Sequence, residues 1–95
     1  MVGSCAYSET PVTFATCRTG TSVKRGVNWK WADKDYFNGK PGTGVIVKCK
    51  GAFPKWAMVK WNNGKTLRHR IGAEYSFDLF FSGIIKTQFI IRITF

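Results

Sequence analysis

Acidic residues are scarce in this chain. Five Asp and Glu stand against fifteen Lys and Arg in 95 residues, a formal net charge of +10 with a pI near 10.0. The imbalance predicts attraction to something acidic: nucleic acid, an anionic membrane or an acidic protein face. Cysteine is also sparse, with Cys5, Cys17 and Cys49 far apart and odd in number, unlike the dense, even set of a disulfide-stapled secreted domain. His69 is the one histidine, and a structural zinc needs four closely spaced ligands, so no metal site is assigned. The opening MVGSCAYSETPVTF lacks the basic and continuous apolar regions of a signal peptide, and no N-x-[ST] sequon occurs. The longest apolar stretch, IIKTQFIIRITF, is short and carries Lys86, Gln88 and Arg92, so it is not read as a membrane span. These absences lead to the expectation of an intracellular, cytoplasmic protein with reduced thiols.

Catalytic groupings are missing too. His69 sits between Arg68 and Arg70 with no nucleophile–base motif beside it; alternation puts it with Leu67 and Ile71 on an inward face, as a packed structural histidine. Asp33 and Asp35 are two apart, among lysines. Paired carboxylates can serve as acid and base or bind a metal, but these lack further ligands. They are read as partners of Lys or Arg, or as caps of loop N–H groups. No catalytic residue and no cofactor is assigned.

What is present suffices for one small core. Hydrophobic residues make up 44% and aromatics 16% of the chain, which argues against disorder despite the charge. The length allows a single domain, too small for separate cofactor and substrate domains. The net charge is confined to residues 21–70; the segments before and after are neutral. All four tryptophans lie in that same stretch.

Along the chain, residues 1–17 are small and polar and read as a flexible or loosely docked arm. GTSVKRG is a short strand with Val23 inward. VNWKWADKDYFNGKPGTG is a long glycine-punctuated loop, and a loop of that length inside a compact domain is usually functional or disordered; its four aromatics argue against disorder. VIVKCK is β-branched, with Val45, Val47 and Cys49 on one face and Ile46, Lys48 and Lys50 on the other. WAMVKW follows, with Lys60 marking the outer face. Asn62-Asn63-Gly64 is the strongest local signal, since Asn-Gly tolerates the positive φ of a type I′ hairpin. KTLRHRI returns, AEYSF turns and DLFF is a last strand. No extended 3.6-residue apolar repeat appears, and short strands with glycine-rich turns read as a small all-β barrel. Residues 81–95 form a β-prone tail that could add to a barrel edge or pair with another chain.

The tryptophans carry the main functional question. Trp31 and Trp61 suit the core. Trp29 and Trp56, beside basic residues, admit three readings: hot spots of a protein or peptide interface, stacking platforms for single-stranded nucleic acid, or rings covering the barrel mouth under lysine stems.

The ordered pieces GTSVKRGVNWKWADKD, PGTGVIV, WAMVKWNNG and RIGAEYSFDL, over about residues 20–79, resemble the Mind bomb/HERC-type domain. The matching positions are Arg25, Gly26, Trp29, Lys30, Trp31, Asp33 and Asp35, then Trp61 with Asn63-Gly64, then Arg70, Ile71, Gly72, Glu74, Phe77, Asp78 and Leu79. This copy departs from the family at Asn28, where an acid is usual, at Phe77 and His69, where Tyr is common, and in its many bases. The resemblance implies an SH3-like β-barrel with a long first loop, here residues 18–80, acting as the non-catalytic, substrate-selecting part of a ubiquitin ligase. Family copies in Mind bomb proteins are associated with short tails of Notch ligands. Basic tails would be repelled here, so an acidic protein or peptide is the expected ligand, with nucleic acid the alternative. The expected groove lies between loop 27–43 and the face carrying Trp56 and Arg68. Trp29 is its expected anchor, Asp33 and Asp35 order the loop or make polar contacts, and Lys30 and Arg70 form a charged rim. Trp31, Val45, Val59 and Trp61 are the expected core, and self-association through the tail is a further expectation.

Overall fold

The computed structural model describes residues 10–49 and 53–82. Among these residues seven strands follow one another: β1 (Ser22–Arg25), β2 (Tyr36–Phe37), β3 (Lys40–Pro41), β4 (Gly44–Cys49), β5 (Trp56–Trp61), β6 (Thr66–Arg70) and β7 (Leu79–Phe81), with a 3-10 turn at Ala73–Tyr75 before the last. Five form one sheet in the order β6-β5-β4-β1-β7, while β2 and β3 make a separate two-stranded hairpin. All pairings are antiparallel. The class is therefore all-β, as the alternating strands and glycine turns suggest. Among the described residues the sheet does not close into a barrel: β6 and β7 are its two edges. Next to those edges, Ile71 bridges Phe77 and the Asp78 N–H donates to the Arg70 carbonyl at 2.9 Å. The long loop is also more structured than expected, since the β2–β3 hairpin lies inside it.

The core sits on one face of the sheet. Val12, Cys17, Val23, Ile46, Ala57, Val59, Trp61, Ile71 and Leu79 form a single buried cluster. Each fully buried Val, Ile or Leu contributes about 1.5–3 kcal/mol. Val23, Val59 and Trp61 fall where alternation put them. Val45 does not: it is 41% exposed, and Ile46 is buried in its place. Both faces of VIVKC are apolar at one end, so alternation alone cannot choose between them. The tertiary register does: Gly44 lies opposite Trp61 and Ile46 opposite Val59. A Cβ at Gly44 would stand 2.5 Å from a Val59 methyl, so the close approach at Gly44 sets the strand's inward face. A bulge between Ile46 and Lys48 then reverses the parity and brings Cys49 opposite Ala57.

Two local expectations need correcting. The β5–β6 turn is not type I′. The Trp61 N–H donates to the Lys65 carbonyl at 2.7 Å and the Gly64 N–H to the Trp61 carbonyl at 2.9 Å, and within 62–64 only Gly64 has positive φ, at 93°. This is a three-residue loop whose last position needs the left-handed conformation that glycine adopts freely. Residues 10–17, expected as part of a loose arm, pack with the domain. Val12 donates to Leu79 and Phe81 to Thr10, both at 2.9 Å, Pro11 bridges Phe80, and Val12 and Cys17 are buried. Residues 1–9 and the tail from 83 onward, including the expected pairing segment, lie outside the described residues.

Candidate functional site

The loop after β1 is fastened to the sheet by aromatic rings and two ion pairs. Trp29 stacks at a tilt on His69, centroid to centroid 4.9 Å, and meets Trp61 edge-on at 5.5 Å. Its Nε1–H donates to the Ala32 carbonyl at 2.9 Å. Trp31 meets His69 edge-on at 5.5 Å. His69 is fully buried and its Nε2 accepts from the Trp61 Nε1–H at 3.0 Å. The neutral ring therefore carries its proton on Nδ1, which has no hydrogen-bond partner among the described residues. Burial lowers the His69 pKa to about 4, against the opposing pull of Asp78 and Asp35. His69 is a packed structural residue.

Asp35 is buried and takes a two-pronged contact from Arg25, with Nε and a terminal nitrogen at 3.0 and 2.7 Å. Asp78 is the stronger anchor. It accepts from Arg70 Nε and a terminal nitrogen at 2.9 and 2.8 Å, from the Arg70 backbone N–H at 2.8 Å and from Trp31 Nε1–H at 3.0 Å. Burial pushes the Asp78 carboxyl up, but the hydrogen bonds from Arg70 and Trp31 outweigh it and hold the group below its ordinary value. Arg70 also reaches the Asn28 carbonyl at 2.9 Å and Glu74 at 3.1 Å. Asn63, in the β5–β6 turn, clamps the far end of the loop by donating to the Lys34 and Tyr36 carbonyls at 2.8 and 3.0 Å.

A groove of about 560 Å³ opens between this loop and the β5–β6 face, lined by Trp31, Lys34, Phe53, Trp56, Leu67 and Arg68. The Arg68 guanidinium lies 4.3 Å from the Phe53 ring centroid and 5.8 Å from that of Trp56, within cation–π range. The lining is aromatic, aliphatic and basic, and holds no acid.

Of the residues expected at a binding site, Trp56 and Arg68 line this groove. Lys30 and Asp33 are exposed on the loop, with Lys30 Nζ 5.2 Å from the Trp31 ring centroid. The other three are drawn into the framework. Trp29 is half-buried against the core, Asp35 is fully buried, and Arg70 is only 5% exposed because Asp78 holds it inward. The Asp78 pair thus places Arg70 inside the framework and not on the exposed margin of the groove. Reasoning from the sequence missed Lys34, Phe53 and Leu67 as lining residues, and treated Trp31 as core when it is half-buried and faces the groove. Lys34 and Trp31 sit in the same loop as the chosen residues, so a broader loop assignment would have included them; Phe53 carried no signal beyond its neighbour Trp56. Among the described residues, no group of three or more His, Cys, Asp or Glu could hold a metal ion, and no helix is long and apolar enough to cross a membrane.

Comparison with known proteins gives the context. The chain is 39% identical over 69 residues to the E3 ubiquitin-protein ligase HERC2 of Homo sapiens, covering 73% of this chain and 1% of that protein. It is 33% identical over 69 residues to the E3 ubiquitin-protein ligase MIB2 of Gallus gallus, covering 70% of this chain and 7% of that one. It is 38% identical over 61 residues to the E3 ubiquitin-protein ligase Ufd4 of Drosophila melanogaster, covering 64% and 2%. The chain thus spans a few per cent of the length of these relatives. The Mib_herc2 family model matches residues 20–82, a span that contains the whole sheet, both buried ion pairs and the groove; the chain belongs to the Mib_herc2 domain family, which occurs in E3 ubiquitin ligases.

Proposed function

We propose that this chain is a non-catalytic protein- or peptide-recognition module, the substrate-selecting part of a ubiquitin-ligase system, and that its groove takes an acidic ligand. The observation that carries this reading is the groove lining: four apolar side chains with Lys34 and Arg68 and no acid. Apolar rings supply desolvated contact area, and the two bases select negative charge. Trp56 and Arg68 are the principal contacts, joined by Trp31 and Lys34 from the loop, with Lys30 and Asp33 at its exposed margin. Trp29, Asp35 and Arg70 act by holding the loop wall in place. The fold is proposed to be of the SH3-like barrel type, its open side bridged by the Ile71–Phe77 contact. A cytoplasmic location, and self-association through the C-terminal tail 81–95, belong to the same proposal; sedimentation velocity of chains with and without residues 82–95 tests the latter.

Nucleic-acid binding is the second reading, favoured by the stacked Arg68–Phe53–Trp56 group. Fluorescence anisotropy with a labelled acidic peptide and a labelled single-stranded oligonucleotide, each at two salt concentrations, separates the two. Peptide binding that Trp56→Ala or Arg68→Glu abolishes, with thermal stability retained, is the expected result. Oligonucleotide binding that falls steeply with salt, with none for the peptide, would overturn it.

A further inference from the structure

We infer that the acidic ligand binds as an added β-strand along the free edge of β6, its side chains alternating acidic and apolar; this rests on the recognition reading above and specifies how that site engages its ligand. Strand β6 is an edge of the five-stranded sheet. In an antiparallel pair, residues alternate between exchanging backbone hydrogen bonds with the partner strand and turning those groups away from it. The phase is set at both ends of β6. The Trp61 N–H donates to the Lys65 carbonyl and the Ile71 N–H to the Lys55 carbonyl, so Leu67 and His69, opposite Val59 and Ala57, bond to β5. Thr66, Arg68 and Arg70 therefore turn their backbone groups to the open edge. Those of Arg70 are taken, its N–H by the Asp78 carboxylate and its carbonyl by the Asp78 N–H. No described residue pairs with those of Arg68 and Thr66.

The groove borders that stretch of edge, since Leu67 and Arg68 both line it. An unpaired edge templates strand addition, and an incoming strand opposite Arg68 and Thr66 would gain two N–H donors and two carbonyl acceptors. Side-chain parity then dictates the ligand. Arg68 and Trp56 project on the outer face and Leu67 on the inner. Ligand residues beside Arg68 should be acidic; those beside Leu67 and Trp31 should be apolar. The edge thus selects an extended segment of alternating acidic and apolar residues rather than an acidic run.

The test uses the full chain and a peptide of about six residues, the usual strand length, alternating Glu with Val or Leu. Its controls are the same composition with the acids blocked together, and the alternating peptide N-methylated at a central residue. Amide hydrogen exchange is followed at each backbone N–H. Fast exchange at Arg68 and Thr66 in the free chain, slowed on binding, with affinity down by about tenfold for the N-methylated peptide, is the expected result. Thr66→Pro removes an edge donor without touching the β5 ladder and should weaken the same peptide comparably. Binding that leaves the Arg68 and Thr66 amides unprotected and tolerates N-methylation overturns strand addition alone, and so do amides already protected in the free chain. Absence of binding by both acidic peptides overturns the recognition reading itself.

Discussion

Arg70 touches two carboxylates of opposite character, and removing each in turn should have unequal consequences. Asp78 is fully buried, and four hydrogen bonds converge on it from Arg70 and Trp31. Glu74 lies 3.1 Å from the same guanidinium with its side chain 60% exposed. Asp78→Asn keeps the shape but leaves Arg70, a residue only 5% exposed, without its buried counter-charge, the exposed Glu74 alone remaining. Stranding a buried charge in this way costs about 3–5 kcal/mol, a large fraction of the roughly 5–15 kcal/mol that holds a small domain together. Glu74→Gln removes a solvent-screened pair and should cost no more than about 1 kcal/mol. In thermal unfolding, where about 1 kcal/mol moves the midpoint by roughly 4–8 °C for a domain of this size, the Asp78 variant should melt about 15 °C or more lower and the Glu74 variant within a few degrees of the parent. Because its folded pKa is depressed, the Asp78 carboxylate supplies stability above the ordinary carboxylate range and loses it as pH falls through the folded value. The variant should lack that acid-side decline. Equal melting losses for the two substitutions would refute the reasoning that burial makes one pair structural and leaves the other marginal.

His69 predicts a second acid effect. With its folded pKa lowered to about 4 from 6.5, the unfolded chain takes up the proton first, so stability should fall by about 3 kcal/mol as pH drops from 6.5 to 4. Urea titrations across that range should show the slope, and His69→Gln should remove it. Gly26→Ala places a Cβ 2.5 Å from the Leu79 nitrogen and 2.7 Å from the Asp78 carbonyl carbon, backbone that cannot step aside. A loss of about 1–3 kcal/mol in chemical denaturation is expected. Asn63→Ala removes the two donors that hold the loop carbonyls of Lys34 and Tyr36; it should cost about 1–3 kcal/mol and speed amide exchange across residues 31–37 relative to the β4–β5 ladder.

The strands of β5 and β6 were legible because their alternation is unambiguous. Lys60 and Arg68 cannot face a core, so Val59, Trp61 and His69 must. The VIVKC stretch lacks such a marker: with apolar residues on both faces, its inward set was settled by the close approach at Gly44 and the bulge after Ile46. The turn at Asn62-Asn63-Gly64 was recognisable as a turn, but its three-residue form depends on the pairing of Trp61 with Lys65. At the candidate site, Trp56 and Arg68 could be selected as an exposed aromatic beside a base. That Asp35 pairs with a base is the sequence reading, but its partner being Arg25 and the withdrawal of Arg70 onto Asp78 could not be foreseen, because each partner is remote in sequence or separated by a turn.

By itself, then, the amino-acid sequence determined the class, the family, the strand ladder from Trp56 to Arg70 and the concentration of positive charge in residues 21–70. These are local or compositional properties, set by side-chain period, turn chemistry and net charge. Tertiary structure alone decided which of those charges are spent inside the fold. Arg25 and Arg70 neutralise buried carboxylates, while Lys34 and Arg68 stay at the groove. Desolvation is the physical reason: a charge carried from water must find its counter-charge within hydrogen-bonding reach, and only the folded chain determines which ones do.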